Sequence, residues 1–599
     1  MCHKIPVLVV LAALMITSLA YAGDLEFTAC PFPSSDQQKR IVQTSPSATI
    51  DGKLTSIAFH TIFRSGDKGV LGQHSHVFGQ LIDQKGDALI AEDGSTYISN
   101  DNDFSALITG KDKHLYMVSH FESRPAAIYL TQLKQTKTGQ LIPQKTRPLD
   151  FSHVMGGWVH CAGSVAPWGS HLGSEEYEPD AKTWITGEIS EYNAAMAAYF
   201  GIDPTDTKAV QAGMNPYNYG YVIETTVKNY QHASVEKHYA MGRVAIELAY
   251  VMPDSKTVYI SDDGTNVGLF RFEADTASDL SAGTLYAATY KETDTSGMGA
   301  ADLTWVDLGH ASDAEILALI KSGLKFDDIF DAVDPVDNGT CPAGYTSINS
   351  GHEDGSQQCL KLKPGMEKAA SRLETRRYAA MLGATTEWRK MEGITFNPQT
   401  NQLYLAISEI GRGMEDNRKG GSPNTTYDMG GPNHIKMASF NTCGGVYALD
   451  VNDDYDATNI YGLIAGIPTT MKYGADGDDN FDGTNECDIK GLANPDNITY
   501  IPGYKTLIIG EDSGTGHQND MIWSYNTETK TLTRIQTTPY GSETTSPYIY
   551  PDINGFAYIM SVVQHPYGES DEDKLEDPSD GRAYTGYIGP FPAMTQTSP

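Results

Sequence analysis

Short apolar runs bounded by turn residues dominate the chain, and six of them resemble one another: His114–His120, His171–Glu175, Thr257–Asp262, Gln402–Glu409, Thr506–Glu511 and Phe556–His565. Each reads as a strand, and most follow a turn signal such as Pro253-Asp254-Ser255, Asn397-Pro398-Gln399 or Pro502-Gly503. Each also ends in a group able to bind a metal ion: Glu122 just past His120, Glu175-Glu176, Asp262-Asp263, Glu409, Glu511-Asp512 and His565. One strand-end carboxylate is ordinarily a turn former or a solvated tip. Six in parallel positions point elsewhere. They recur roughly every 90 residues, too far apart for bare four-stranded blades and consistent with blades that carry insertions. Arranged radially, six such units aim their strand ends at one opening and gather carboxylates that cannot all be ionised without cations between them. The pattern predicts an all-β fold, a six-bladed β-propeller over residues 23–599 with long inserted loops. A few short helices are expected at Glu188–Phe200, Asp313–Leu324 and Pro364–Leu382.

The charge balance of 43 Lys+Arg against 76 Asp+Glu, a formal net charge of −33, excludes a nucleic-acid binder, because no basic stripe offsets the repulsion. The same excess of carboxylates invites hard cations. At the N-terminus Lys4 precedes the apolar run Ile5–Ala20, and Ala20-Tyr21-Ala22 before Gly23 has the form of a signal-peptidase site. Residues 1–22 therefore read as a cleaved leader that sends the chain to the periplasm or the medium, with no stable membrane insertion. Of seven cysteines, Cys2 leaves with the leader. In an oxidising compartment Cys341 with Cys359 is the favoured disulfide, and Cys443 with Cys487 a second. Cys161, just ahead of a glutamate pair, has a thiolate metal ligand as its competing role.

Three further features have simpler readings beside the functional ones. Asp478-Asp-Asn480-Phe-Asp482-Gly483 opens like a calcium loop but has Ile489 where a closing glutamate belongs, so an acidic turn is the alternative. His74-Ser-His76 has ligand-like spacing on one strand face, and a structural pair is the plainer account. The acidic run from Glu569 to Asp580 reads as a solvated tail.

From Cys161-Ala-Gly through Pro167-Trp168-Gly-Ser to Glu175-Glu176 the sequence resembles the PhoX family of secreted alkaline phosphatases. Gly242-Arg243 to Glu247, Ser261-Asp262-Asp263, Glu392-Gly393, Ala493-Asn494-Pro495-Asp496 and Gln564-His565-Pro566 resemble further family stretches, in family order. The resemblance implies a six-bladed propeller holding ferric iron and calcium ions that hydrolyses phosphate monoesters. It implies Cys161 as an iron ligand and Glu175, Glu176, Glu247, Glu392, Asp496, Glu511 and Asp512 as iron or calcium ligands. Where the family carries a phosphate-clamping arginine this chain has Lys390, with Arg389 one position earlier, and either is expected to hold phosphate. The family asparagine ahead of the cysteine is His160 here, expected either to donate a hydrogen bond at the catalytic site or to alter the immediate surroundings of the ions.

The expected partners are small phosphate esters, and the chain is expected to be a monomer. Two other readings keep the same carboxylates. One is a calcium-stapled propeller that binds without turnover, and the other is a different calcium propeller hydrolase such as a lactonase or a phytase-like enzyme.

Overall fold

The structure is a computed structural model that describes residues 23–69, 76–91, 93–336, 339–350, 355, 357–469 and 484–594. The leader expected over residues 1–22, His74, and the acidic loop from Asp478 to Gly483 lie outside them.

The second strands carry apolar residues without alternation because each is covered on both faces. Leu115–Phe121, Thr257–Asp262 and Thr506–Glu511 are buried at every position. They belong to six antiparallel blades that follow one another along the chain. Blade one is Asn102–Thr109, Leu115–Phe121, Ala127–Gln135 and Leu141–Pro148; blade two is Ser164–Val165, His171–Gly173, Val222–Asn229 and His232–His238. Blade three is Ile246–Val251, Thr257–Asp262, Phe270–Thr276 and Asp279–Asp294; blade four is Met391–Asn397, Gln402–Ile407, Gly445–Asp450 and Asn459–Ala465. A long strand, Ala300–Ser312, pairs with Asp279–Asp294 and then with blade four, opposing Ala300 to Tyr461, so blades three and four share one continuous sheet. Blade five is Pro495–Ile501, Thr506–Glu511, Met521–Asn526 and Leu532–Thr537. Blade six takes Glu543–Ile553, Phe556–Gln564 and Tyr584–Pro592 from the C-terminal end and its outer strand, Ala58–Arg64, from the N-terminal end. This pairing closes the ring. All six stretches expected to be strands are the second strands of these blades.

The first strands of the blades ring the axis. Met391–Asn397 lies against Pro495–Ile501, which lies against Glu543–Ile553, which in turn meets Asn102–Thr109. The apolar core is divided into layers between blades. Tyr404, Val446, Ile498, Leu507 and Trp523 fill the layer between blades four and five, and Phe63, Met117, Tyr129, Tyr558 and Tyr587 that between blades six and one. Stacking of this kind lets each blade bury two faces with short strands.

Apart from the single-turn helix Asp36–Lys39 near the N-terminus, the α-helices lie in two insertions. Within blade two lie Ala181–Thr186, Glu191–Ala194 running on as the 3-10 turn Ala195–Phe200, and Thr207–Gly213. Between blades three and four lie Asp313–Lys321, Glu367–Leu373 and Thr375–Met381. The first of these begins at Ser312, whose hydroxyl accepts from Glu315 N while its own N–H donates to the Glu315 carboxylate, a reciprocal cap. Both expected disulfides form, Cys341–Cys359 and Cys443–Cys487, leaving Cys30 and Cys161 as buried free thiols. No helix among the described residues is long and apolar enough to cross a membrane.

Ring closure rests on the strand Ala58–Arg64. Phe63, 2% exposed, stacks on Phe78 with ring centroids 4.9 Å apart. Phe63→Ala is expected to lower the unfolding free energy by about 3–5 kcal/mol in urea titrations. Exposed Ala58→Ser in the same strand should change it by less than about 0.5 kcal/mol.

Candidate metal centre

In an antiparallel hairpin the start of one strand faces the end of the next, so each blade delivers two sets of side chains to the same end of the ring. Asn102 opposes Phe121, Ile246 opposes Asp262, Met391 opposes Ile407, Pro495 opposes Glu511 and Glu543 opposes Gln564. In four of these pairs the next residue of the first strand is an acid: Asp103, Glu247, Glu392 or Asp496. At each of the four the register slips, so two residues oppose one. A bulge at the strand start bends the strand and re-aims its side chain. Glu543 heads the first strand of blade six, and Cys161 precedes the short first strand of blade two. Gly393, after Glu392, allows the inner strands to close up, since a Cβ there would sit 2.7 Å from Ile498 N and 2.9 Å from Asp496 O.

The side chains meet. Asp103, Glu122 and Cys161 form one group with ligand atoms within 4.8 Å of one another, as do Cys161, Glu176 and Glu247; Glu247, Glu392 and Asp496; and Glu543, His565 and Glu569. Cys161 and Glu247 are each shared by two groups, which links three of the four into one centre. The Cys161 sulfur lies 3.2 Å from Asp103 Oδ2 and 3.0 Å from Glu247 Oε2. Two ligands at right angles on one ion with bonds of about 2.0–2.3 Å are about 3 Å apart, so this spacing fits a shared cation. Asp103 Oδ1 and Asp263 Oδ1 are buried with no hydrogen-bond partner, and buried oxygens of this kind are rarely left alone. One soft sulfur among hard carboxylates is a donor set that suits a metal.

Electrostatics agree. Burial pushes Glu122 and Glu392 up to about 7, and for Glu392 the neighbouring Asp263 adds to it. Asp103, Glu176, Glu247, Asp496 and Glu543 are raised well above the ordinary range, first by burial and then by one another's charge. The Cys161 thiol is raised by burial and by Asp103 and Glu247. Asp263 goes the other way, because the opposing pull of Lys390 and the Tyr177 hydroxyl outweighs burial. Without cations the centre holds protons; bound cations replace them.

The acidic doublets divide. Each pair lies at or just past the end of its strand, and of each only the second is electrostatically tied to the centre. Glu175 takes Lys237 Nζ at 2.7 Å and the N–H groups of Gly220 and Tyr221, whereas Glu176 joins Cys161 and Glu247. Asp262 accepts from Arg376 and from the N–H groups of Ala245 and Gly268, whereas Asp263 meets Lys390. Glu511 accepts from Ala493 N, Met521 N, Trp523 Nε1 and His517, whereas Asp512 interacts with Lys390, Glu569 and His565. Glu175 and Glu511, both expected as ligands, therefore have all their described contacts with protein groups, and they brace the segments that carry Glu176 and Asp496. Asp512 stands beside the centre but is in none of the ligand groups.

Lys390 reaches Asp263 Oδ2 at 3.3 Å and Glu392 Oε1 at 3.4 Å and keeps 23% of its side chain exposed. Its backbone is left-handed, with φ of 46°. Arg389 is bound to Glu409 Oε2 through Nε and Nη2 and to Thr265. His160 is fully buried, with Nδ1 3.0 Å from Ser174 O, and its ring sits by His120 and Phe151. His120 Nδ1 lies 2.9 Å from the Cys161 carbonyl. Sequence reasoning gave no site role to Asp103, Glu543 or Asn497, and noted Glu122 as a strand end and Asp263 as a strand end within a family-like stretch, without naming either as a ligand. Asn497 donates to Glu247 Oε1 at 3.2 Å and accepts from Ser546 N. Position was the available signal: Asp103 and Glu543 each lie one hairpin upstream of a strand-end group. The expected solvated tail also needs correcting at its start, because Glu569 contacts His565 at 2.9 Å while most of the following residues are exposed.

Two outcomes follow from these charges. Lys237→Met leaves Glu175 buried beside no cation and is expected to remove about 3–5 kcal/mol of stability, part of which Glu175→Gln restores in the double variant. In chelator, Glu122 and Glu392 bind more protons folded than unfolded between the ordinary 4.5 and about 7. The melting temperature of the ion-free protein should therefore fall as pH rises through that interval. Added calcium should flatten the fall.

Comparison with known proteins bears on this geometry. A profile of the family described as Alkaline phosphatase PhoX matches residues 137–566. A search of curated proteins finds no match. Among solved structures, Pseudomonas fluorescens PhoX in complex with vanadate aligns over 94% of this chain and 98% of its own, at 17% identity and a TM-score of 0.56. A gluconolactonase from Xanthomonas campestris aligns over 88% and 100% at 9% identity, with a TM-score of only 0.29. The profile spans most of the chain and the fold agrees along nearly its whole length: this chain belongs to the PhoX family of alkaline phosphatases and is a phosphoric monoester hydrolase.

Proposed function

We propose that the chain is an exported phosphatase that releases phosphate from small monoesters at the axis of the propeller, with iron and calcium as its ions. The observation that carries this reading is the meeting of one thiol with carboxylates from different blades, Cys161 Sγ lying 3.2 Å from Asp103 and 3.0 Å from Glu247. Cys161, Asp103, Glu122, Glu176 and Glu247 would hold ferric iron, for which one sulfur among oxygens is suited. The all-oxygen group of Glu247, Glu392 and Asp496 suits calcium, and Asp512 stands near enough to hold an ion at its edge. When bound, the ions supply Lewis acidity toward the phosphoryl oxygens and toward water.

The chain's own groups do the rest. Lys390 is partly exposed at the edge of the centre and offers a compact positive charge to phosphate. Arg389, tied to Glu409, supports the backbone that carries Lys390. His160 and His120 hold the Cys161 segment from the buried side, and His120 does so at the Cys161 carbonyl. Two disulfides support an oxidising compartment and so the exported location. The Pseudomonas fluorescens relative was solved with vanadate, a transition-state analogue, which agrees with phosphoryl transfer.

Elemental analysis of the purified chain, paired with hydrolysis of p-nitrophenyl phosphate, tests the reading. Iron, calcium and turnover are expected together. Calcium without iron and without turnover would make the propeller a scaffold. Cys161→Ala should lower kcat/KM by at least about a hundredfold while the protein stays folded. EGTA should lower both activity and Tm, since a calcium level about a thousand times its Kd adds about 4 kcal/mol to the native state.

A further inference from the structure

Beside the centre is a cavity of about 590 Å³ lined by Tyr97, Asp101, Glu122, Arg124, Tyr192, His565 and Glu569 among others. It reaches two ligand groups, through Glu122 on one side and through His565 with Glu569 on the other. Its walls carry three carboxylates, and its cations are unequal. His565 is engaged by Asp101 and Glu569. Lys390 acts on Glu569 from nearby and is itself engaged by Asp263 and Glu392. Arg124 feels the charges of Glu122 and Glu176 across space but is hydrogen-bonded to neither. Its guanidinium is stacked between Trp158 and Tyr192, 5.1 Å from each ring centroid, and its Nε is buried without a hydrogen-bond partner. No carboxylate of the described residues lies within ion-pair distance of it.

A guanidinium in acidic surroundings pairs with a carboxylate unless it is held off, and two aromatic faces hold this one off while leaving its in-plane N–H edge unused. That edge matches two oxygens of a tetrahedral oxyanion, whereas an ammonium acts as a point charge. Resting on the phosphatase reading above, we propose that Arg124 binds the phosphoryl group of the ester through two of its oxygens, and that Trp158 and Tyr192 fix the orientation of its guanidinium. Tyr192, 75% exposed, comes from the blade-two insertion, which therefore contributes to substrate recognition as well as to packing.

The test uses the metal-replete full chain and inorganic phosphate, so that binding is read without turnover. Arg124→Ala is expected to weaken phosphate binding by about thirtyfold or more in titration calorimetry and to raise KM for p-nitrophenyl phosphate in step, with iron and calcium content unchanged. Arg124→Lys should recover only part of this, and Tyr192→Leu should weaken phosphate binding by about threefold to tenfold. Unchanged phosphate affinity in a folded, metal-replete Arg124→Ala protein overturns the proposal and leaves Arg124 as a packing residue. So does loss of metal from that variant, or a KM that rises for fructose 1,6-bisphosphate alone, which would assign Arg124 to a distant anion. A wild-type chain that binds phosphate through Arg124 yet turns over no monoester would sink the catalytic reading and leave this one standing.

Discussion

Mutual repulsion among buried carboxylates is the constraint around which this molecule is organised. Six first strands ring one axis, and five carry an acid at their first or second residue that has little access to water. Charges packed this closely stay together only if they hold protons or share cations. Lys390 supplies one fixed positive charge. The remainder falls to ions, and the free thiol of Cys161, pressed between Asp103 and Glu247, is the place where the donor set departs from oxygen.

The scaffold tolerates this because it is stiff where the acids are anchored. Each acidic doublet at or just past the end of a second strand divides into a clamp and a charge near the axis. The clamps, Glu175 with Lys237, Asp262 with Arg376, and Glu511 with four donors, tie neighbouring segments together in the dry interior. Bulges at Asp103, Glu247, Glu392 and Asp496 let the first strands send an acid toward the axis and still keep apolar faces between the blades. Ring closure by Ala58–Arg64 holds blades six and one in contact, so the ligands those blades supply stay in register with the others.

Insertions then give an otherwise symmetric ring a direction. The helical segments in blade two bring Tyr192 over Arg124, and the segments between blades three and four bring Arg376 onto the Asp262 carboxylate. A propeller without them would gather the same acids but offer no shaped approach to them.

Much of this was legible from the sequence alone. Apolar runs ending in acids mark the second strands, because strands buried on both faces lose their alternation and their ends must reach water, an ion or a partner. Cys161 stood out from the other cysteines because it lies just ahead of a glutamate pair, an odd place for a disulfide. Family resemblance added Glu247, Glu392 and Asp496, which lie at strand starts that no periodicity singles out. Only the tertiary structure could divide Glu175 from Glu176 and Glu511 from Asp512, since adjacent acids are alike in a sequence and differ only in which side of a strand they leave. It alone separated Lys390 and Arg389, which have different partners, brought Asp103 and Glu543 to the axis, and set Arg124 in the wall of the cavity beside it. A charge's role depends on what lies across space from it, and for these residues the neighbours come from other blades, far away along the chain.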